Sequence, residues 1–278
     1  MSGSPPLTSP ASLPPVPTAP RTTNSARPVA LISGASSGIG AALAEALAAK
    51  GHALVLAARR TELLAAVAER AGVPRDDVLC VTCDVTEEPA VAELVRSAVL
   101  WRGRLDVVVA CAGEYLRKPA AELERADLDR ALGVNFFGAF RLAQAALPAL
   151  RESGGHLVLV NSFDAKKGMP LEAAYVAAKC ALAGYAGVLR QEERGVHVCT
   201  VFPGRVDTPM IRHLDVPRIS AKIPPERVAR AVLRALATRR AEVIVPWTCR
   251  LLQVADVVSP RLADGLVRLL RLEGRPRE

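Results

Sequence analysis

The chain has 278 residues, half of them hydrophobic and only 4% aromatic, and carries a net charge of +8. That length and apolar content can bury a full, mainly aliphatic core in one large α/β domain or two small ones. The charges are spread along the chain with no long basic block and no aromatic interleaving, which argues against nucleic acid as a partner and is compatible with an anionic small ligand.

Residues 1–27 are crowded with Pro, Ser, Thr and Ala and lack hydrophobic periodicity, so a disordered tail is expected there. Neither a signal-peptide pattern nor an apolar run of membrane-spanning length is found. Order begins with a short buried strand over 28–33. It runs into Gly34-Ala-Ser-Ser-Gly38-Ile-Gly40 and a helix over about 39–50. A Gly-rich turn between strand and helix forms a phosphate cradle, because glycines admit a pyrophosphate and the helix N-terminus offers oriented N–H groups.

A second strand over 53–58 ends at Arg59 and Arg60. In a sheet of this kind an acid at that point would bind the 2′-hydroxyl of NAD. No acid is present, and Arg59 can face a 2′-phosphate instead, so NADP(H) is the expected cofactor. Helix and strand then alternate: a helix over 62–71, a strand over 78–83 ending at Asp84-Val85, a helix over 87–101 and a fourth strand over 105–110 leading to Cys111-Ala112-Gly113. One long helix is expected over about 123–150, carrying Asn135. Cys80 and Cys83 sit in a strand, where side chains three apart face opposite ways, so they suit neither a metal nor a redox pair. No metal site is expected, and the single cysteines point to a reducing, cytoplasmic setting.

The richest stretch follows. The run 156–161 reads as a strand ending at Ser162, whose hydroxyl can hydrogen-bond a reacting oxygen. Thirteen residues on comes Tyr175, with Lys179 four residues later in an Ala-rich helical run. On a helix that spacing places the two on one face, about 6 Å apart along the axis. An ammonium beside a phenol is expected to lower its pKa from about 10, so that Tyr175 can pass a proton to a carbonyl or take one from an alcohol. A further strand over 196–201 precedes Pro203-Gly204. The whole forms a doubly wound parallel α/β sheet, whose ligands bind beyond the strand ends. Gly34, Arg59, Asp84, Gly113, Ser162 and Pro203 all fall on that rim.

Gly34-x-x-x-Gly38-x-Gly40, Asp84, Ala112-Gly113, Asn135, Ser162, Tyr175-x-x-x-Lys179, and Pro203-Gly204 followed by Thr208 occur in this order, and in this the chain resembles the short-chain dehydrogenase/reductase family. The resemblance covers about 29–246 and implies a Rossmann-type domain with helices on both faces. It implies that Tyr175 is the general acid/base, that Lys179 lowers its pKa and holds the nicotinamide ribose, that Ser162 orients the carbonyl, and that Asn135 holds a water in a proton relay. Asp84 and Val85 would contact adenine, and Thr208 the carboxamide. Further cofactor contacts are expected from Ser36, Ser37, Ile39, Pro203, Gly204 and Val206, beside Gly34, Gly38, Gly40, Arg59, Ala112, Gly113, Tyr175 and Lys179.

Two features depart from the family. Ala110-Cys111 stands where Asn-Asn is usual, removing a side chain that would bond there. Phe163-Asp164 follows Ser162 where small residues are usual, which narrows the pocket and places a charge near it. The segment 205–224 is apolar, as suits closure over a hydrophobic substrate. After a helix over 225–239 and a last strand over 241–246, residues 247–278 form a helical extension. There Leu262, Leu266, Leu269 and Leu270 recur at helical spacing among arginines. Three readings of that extension stay open: docking on the protein's own core, contact with a lipid surface or a neighbouring subunit, or disorder. The expected activity is an NADP-dependent interconversion of a small, apolar carbonyl and its alcohol, in a homodimer or homotetramer. The alternative is a non-catalytic NADP-binding sensor or interaction protein.

Overall fold

The structure, a computed structural model, describes residues 27–276. The tail expected over 1–27 therefore lies outside the described residues, apart from Arg27, whose guanidinium pairs with Asp77 at 2.8 Å. Seven parallel strands form the central sheet. They are β1 (Val29–Ser33), β2 (Ala53–Ala58), β3 (Val78–Thr82), β4 (Val107–Ala110), β5 (His156–Val160), β6 (His197–Pro203) and, after the short β7 (Leu214–Asp215), β8 (Glu242–Val245). Their order across the sheet is β3-β2-β1-β4-β5-β6-β8, with every pairing parallel. The order reverses between β1 and β4, and a crevice opens at such a switch point beyond the carboxyl ends of the strands.

The central strands read as unbroken apolar runs because both sheet faces are covered. Every residue of β1 and β2 is buried. Alternate side chains feed two separate cores. Leu31 and Val55 join residues of α3 (Glu88–Arg102), α5 (Gly138–Ser153) and α6 (Ala173–Glu192). Ile32 and Leu54 join residues of α1 (Gly38–Ala48), α2 (Thr61–Ala71) and α7 (Pro225–Ala237). Cys80 and Cys83 divide between these two cores, on opposite sides of the sheet, with both thiols buried.

The single helix expected over 123–150 is broken. The chain forms α4 (Arg125–Leu132), a π-helical turn over Gly133–Phe137, and then α5. Asn135 sits in that turn, and its Nδ2 donates to Ala131 O at 3.0 Å. A π-turn shifts the backbone ladder by one residue, and a side-chain donor supplies what the shifted ladder leaves out. Hydrophobic periodicity carries no trace of such a one-residue shift.

At the C-terminal end, α8 (Cys249–Val258) and α9 (Pro260–Leu269) fold back over the sheet rim. Ser259 starts α9 by accepting from Leu262 N, with Pro260 in the first turn. Ala263 and Val267 of α9 are buried, whereas Leu262 and Leu269 face outward, so one face of the expected apolar stripe docks on the protein. Lys167 Nζ pins both helices through Asp256 and Asp264, each at 2.7 Å. Beyond α9, β9 (Arg275–Pro276) pairs antiparallel with β7.

Candidate active site

Two hollows adjoin at the strand ends. The first is a polar groove of about 210 Å³ along the β1–α1 turn and the ends of β2, β3 and β4. Gly34 (φ +69°) makes the turn, and a Cβ there would stand 2.7 Å from the Ala112 backbone, so the groove floor admits only glycine. Gly38 (φ +55°) opens α1 against Thr208, 2.8 Å from where its Cβ would lie. Ser36, Ser37, Ile39 and Gly40 complete this wall of the groove, Asp84 and Val85 line one end, and Ala112, Gly113, Asn135, Lys179 and Thr208 line the other.

At the end of β2, Arg59 and Arg60 stand in the groove wall. Arg59 reaches Asp84 only at 4.0 Å and is largely exposed, and Arg60 Nη2 donates to Ser36 Oγ at 3.4 Å. Asp84 is held below its usual range, chiefly by the Thr86 backbone N–H and in smaller part by Arg59. Beside the Ala110-Cys111 departure, Ser33 ties the neighbouring strands. Its Oγ accepts from Cys111 N at 3.2 Å and Ala112 N at 3.4 Å, tying the end of β4 to β1.

The second hollow is a cavity of about 520 Å³ with mainly apolar walls, including Met169, Met210, Ile211, Leu214, Leu266 and Leu270. Pro203, Gly204 and Val206 line this cavity and not the groove, because the chain beyond β6 turns over the apolar side; Thr208 borders both. Leu266 and Leu270 of α9 thus form part of the cavity wall. Phe163 is buried in the same wall, as its bulk after Ser162 suggests.

Tyr175 borders both hollows. Asn161 joins β5 to α6 beneath it, taking Ser162 N on Oδ1 at 2.8 Å and giving Nδ2 to Lys179 O at 3.1 Å. Lys179 Nζ donates to Val160 O at 3.1 Å and lies 5.7 Å from the Tyr175 ring centre. Burial pushes Lys179 down to about 8. The lowering expected for Tyr175 is reversed: burial, then the nearby Asp164 carboxylate, push the phenol up. Asn135 spends both amide hydrogens, on Ala131 O and on Glu114 O at 2.9 Å, and its Oδ1 accepts from Glu114 N at 3.2 Å. It therefore clamps the 114–115 segment to the π-turn.

The cavity also holds polar groups that periodicity does not single out. Tyr115 packs edge-to-face on Tyr175, with centroids 5.2 Å apart, and gives its hydroxyl to Glu172 Oε1 at 2.5 Å. Glu172 is 2% exposed, and burial together with Asp164 raises it to about 7. Asp164 accepts from Ser162 Oγ at 2.7 Å, and burial raises its carboxyl too. Arg205 spans the cavity rim to Ser220 Oγ at 2.6 Å and to the Leu272 carbonyl. The one cue to Glu172 was its place in the turn before Tyr175.

Comparison with known proteins agrees with this geometry. The family described as short chain dehydrogenase matches residues 28–217. An uncharacterised oxidoreductase of Staphylococcus aureus (strain USA300) is 36% identical over 211 residues, covering 75% of this chain and 90% of its own. One from Staphylococcus epidermidis is 32% identical over the same shares. Among solved structures, an alcohol dehydrogenase from the archaeon Thermococcus sibiricus, complexed with 5-hydroxy-NADP, is 30% identical with a TM-score of 0.72. It covers 79% of this chain and 96% of its own. A variant of actinorhodin polyketide ketoreductase with NADPH gives the same identity and score, covering 79% of this chain and 95% of its own. The site and fold are those of a nucleotide-binding oxidoreductase, and the chain belongs to the short-chain dehydrogenase family.

Proposed function

We propose that the chain is an NADP-dependent oxidoreductase that interconverts a carbonyl and an alcohol on a small, mainly apolar substrate. The observation that carries this reading is the position of Tyr175, a buried phenol at the junction of a polar groove and an apolar cavity. The groove suits a dinucleotide: its floor closes to any Cβ at Gly34, and the N-terminus of α1 faces it with positive potential. Gly34, Ser36, Ser37, Gly38, Ile39 and Gly40 would hold the pyrophosphate region, Asp84 and Val85 the adenine, and Ala112, Gly113, Lys179 and Thr208 the nicotinamide half. When bound, the cofactor supplies or accepts the hydride. Arg59 and Arg60 support NADP over NAD, since each has only one weak partner at the end of β2, Asp84 and Ser36 respectively, and can grip a 2′-phosphate. Two relatives at 30% identity are described with NADP-type ligands.

Tyr175 would carry the proton at the reacting oxygen, with Ser162 beside it and Lys179 holding positive charge beneath. Lys179 at about 8 is mostly charged at neutral pH and stabilises a transient phenolate. The six unpaired thiols accord with a cytoplasmic setting. We assign assembly as a homodimer or homotetramer to the outer faces of the π-turn–α5 segment and α6, where Phe137 and Val188 are exposed. The test is a panel of carbonyl compounds scored by NADPH oxidation. Oxidation that depends on Tyr175 supports the reading, and tight NADPH binding with no oxidation across the panel replaces it with nucleotide sensing.

A further inference from the structure

In the structure, Ser162 has nothing left to offer a substrate. Its single hydroxyl hydrogen goes to Asp164 Oδ2 at 2.7 Å, and its oxygen accepts from Asp164 N at 3.3 Å. The Tyr175 phenol lines the same cavity as Ser162. Because the Ser162 hydrogen is already given away, the serine can only accept from Tyr175. The Ser162 donor therefore runs away from the reacting oxygen and toward a carboxylate.

Asp164 is one half of a pair. Glu172 lies against it, with Oε1 taken by Tyr115 and Oε2 buried in the cavity wall with no donor in reach. Two carboxylates in contact in a buried site do not both ionise readily, so one proton between them is the favoured state. The backbone enforces the contact: Leu171 is held at φ +71°, and Lys118 N bonds its carbonyl at 2.8 Å, which turns Glu172 inward at the start of α6.

We propose that Asp164, with Glu172, is a positioning and proton-holding pair whose shared proton sets the direction of the Ser162 hydroxyl. This rests on the carbonyl–alcohol reading above. With the proton on Asp164, that carboxyl donates to Ser162 Oγ, and Ser162 turns its hydrogen toward Tyr175 or the substrate oxygen. In reduction, where a bound nicotinamide cofactor would supply the hydride for the new C–H bond, Tyr175 gives its proton to the carbonyl oxygen. Ser162 passes its proton to the phenolate and Asp164 passes one to Ser162. The pair is left doubly ionised and regains one proton from solvent. Oxidation runs the same row backwards and needs the ionised pair as acceptor.

The charged and titrating groups around the pair are Tyr115 and Arg117 from the segment after β4, Cys111 at the end of β4, Tyr175 and Lys179 from α6, Arg205 after β6, and Cys249 from α8. Arg205 and Arg117 favour the ionised pair, whereas burial opposes it more strongly. Lys179 gives an alkaline limb of its own, so the pair must be isolated by substitution.

The test uses the full chain in two measurements. Carboxyl ¹³C NMR of the chain without cofactor, compared with Asp164→Asn and Glu172→Gln, should show two coupled signals, one titrating well above the ordinary carboxylate range. Titration of both at ordinary carboxylate values overturns the proposal. Second, NADPH-driven reduction of 4-nitrobenzaldehyde and NADP-driven oxidation of 4-nitrobenzyl alcohol are followed against pH. Reduction should fall and oxidation rise as the pair loses its proton. In Asp164→Asn the amide can hydrogen-bond Ser162 but can neither pass nor take a proton, so reduction and oxidation should both drop on the order of 10²-fold. Only the Lys179 limb should remain in that variant. An equal loss in both directions with the pH limbs unmoved makes Asp164 merely structural and overturns the proposal. If these two compounds are not turned over, the NMR titration alone decides. Normal turnover by Tyr175→Phe would instead sink the carbonyl–alcohol reading while leaving the carboxyl titration intact, so the two failures are distinguishable.

Discussion

Lys179 Nζ stands 5.7 Å from the centre of the Tyr175 ring and is anchored by the carbonyl of Val160 at 3.1 Å. The ammonium is thus fixed by the end of β5, and the phenol by α6, so the pair keeps its geometry without substrate. Tyr175→Phe keeps the ring and its edge-to-face contact with Tyr115 but removes the proton. Turnover in the carbonyl panel should fall about 10²- to 10⁴-fold, while NADPH binding, measured by fluorescence, stays within a few-fold of the parent.

The cofactor prediction rests on two guanidiniums that no strong partner claims. Arg59 is 71% exposed on its side chain and only 4.0 Å from Asp84 at closest. Arg59→Ala should weaken NADPH by about tenfold or more and leave NADH nearly unchanged, since a charge-assisted bond to phosphate is typically worth 1.5–3 kcal/mol. Fluorescence titration of both cofactors checks this. Equal affinities in the parent chain would count against NADP preference altogether.

The strand ends were legible in the sequence because alternation of apolar strands and amphipathic helices fixes which residues share a rim. Gly34, Asp84, Gly113 and Ser162 needed only that alternation. The π-turn at Asn135 was not legible, since one inserted residue leaves hydrophobic spacing almost unchanged. Nor was the polar content of the cavity. Tyr115, Glu172 and Arg205 come from three separate segments, and only the folded chain brings them beside Asp164. The expected drop in the Tyr175 pKa failed for a related reason. Spacing reveals the nearby ammonium but not the burial and the carboxylate that outweigh it.

Glu172 also makes a stability prediction. Its carboxyl titrates near 7 in the fold, against about 4.5 when unfolded. Between those values the folded chain holds a proton that the unfolded chain has lost, so stability falls as pH rises through this window. The loss is on the order of 1–3 kcal/mol by pH 8. Glu172→Gln removes that slope. Thermal unfolding at pH 5 and pH 8 should show a smaller drop in Tm for the variant than for the parent, and an identical drop would refute the assignment.

Assembly is testable without any substrate. Phe137 lies on the outer side of the junction between the π-turn and α5, with Arg141 5.6 Å from its ring centre, and Val188 is 53% exposed on α6. Light scattering at micromolar concentration should give a mass of two or four chains. Val188→Glu should shift that mass toward one, because an unpaired charge in a desolvated interface is costly.

The C-terminal helices should behave as part of the fold. Val267 is 3% exposed and Ala263 fully buried. Leu266 and Leu270 wall the cavity, and Lys167 ties α8 to α9 through Asp256 and Asp264. Val267→Ala removes two methyl groups from a packed site and should cost about 1–2 kcal/mol, seen as a Tm lower by a few degrees. Removing 259–278 should lower Tm further and open the cavity to solvent, raising KM for apolar carbonyls more than it changes NADPH affinity. The outward residues Leu262 and Leu269, with Val254 and Val257 of α8, leave an exposed apolar surface beside Arg261 and Arg268. If that surface served only as a lipid anchor, truncation would leave Tm unchanged and abolish sedimentation with anionic vesicles. The docked face of α9 predicts the opposite: a clear loss of stability, whatever the vesicles do.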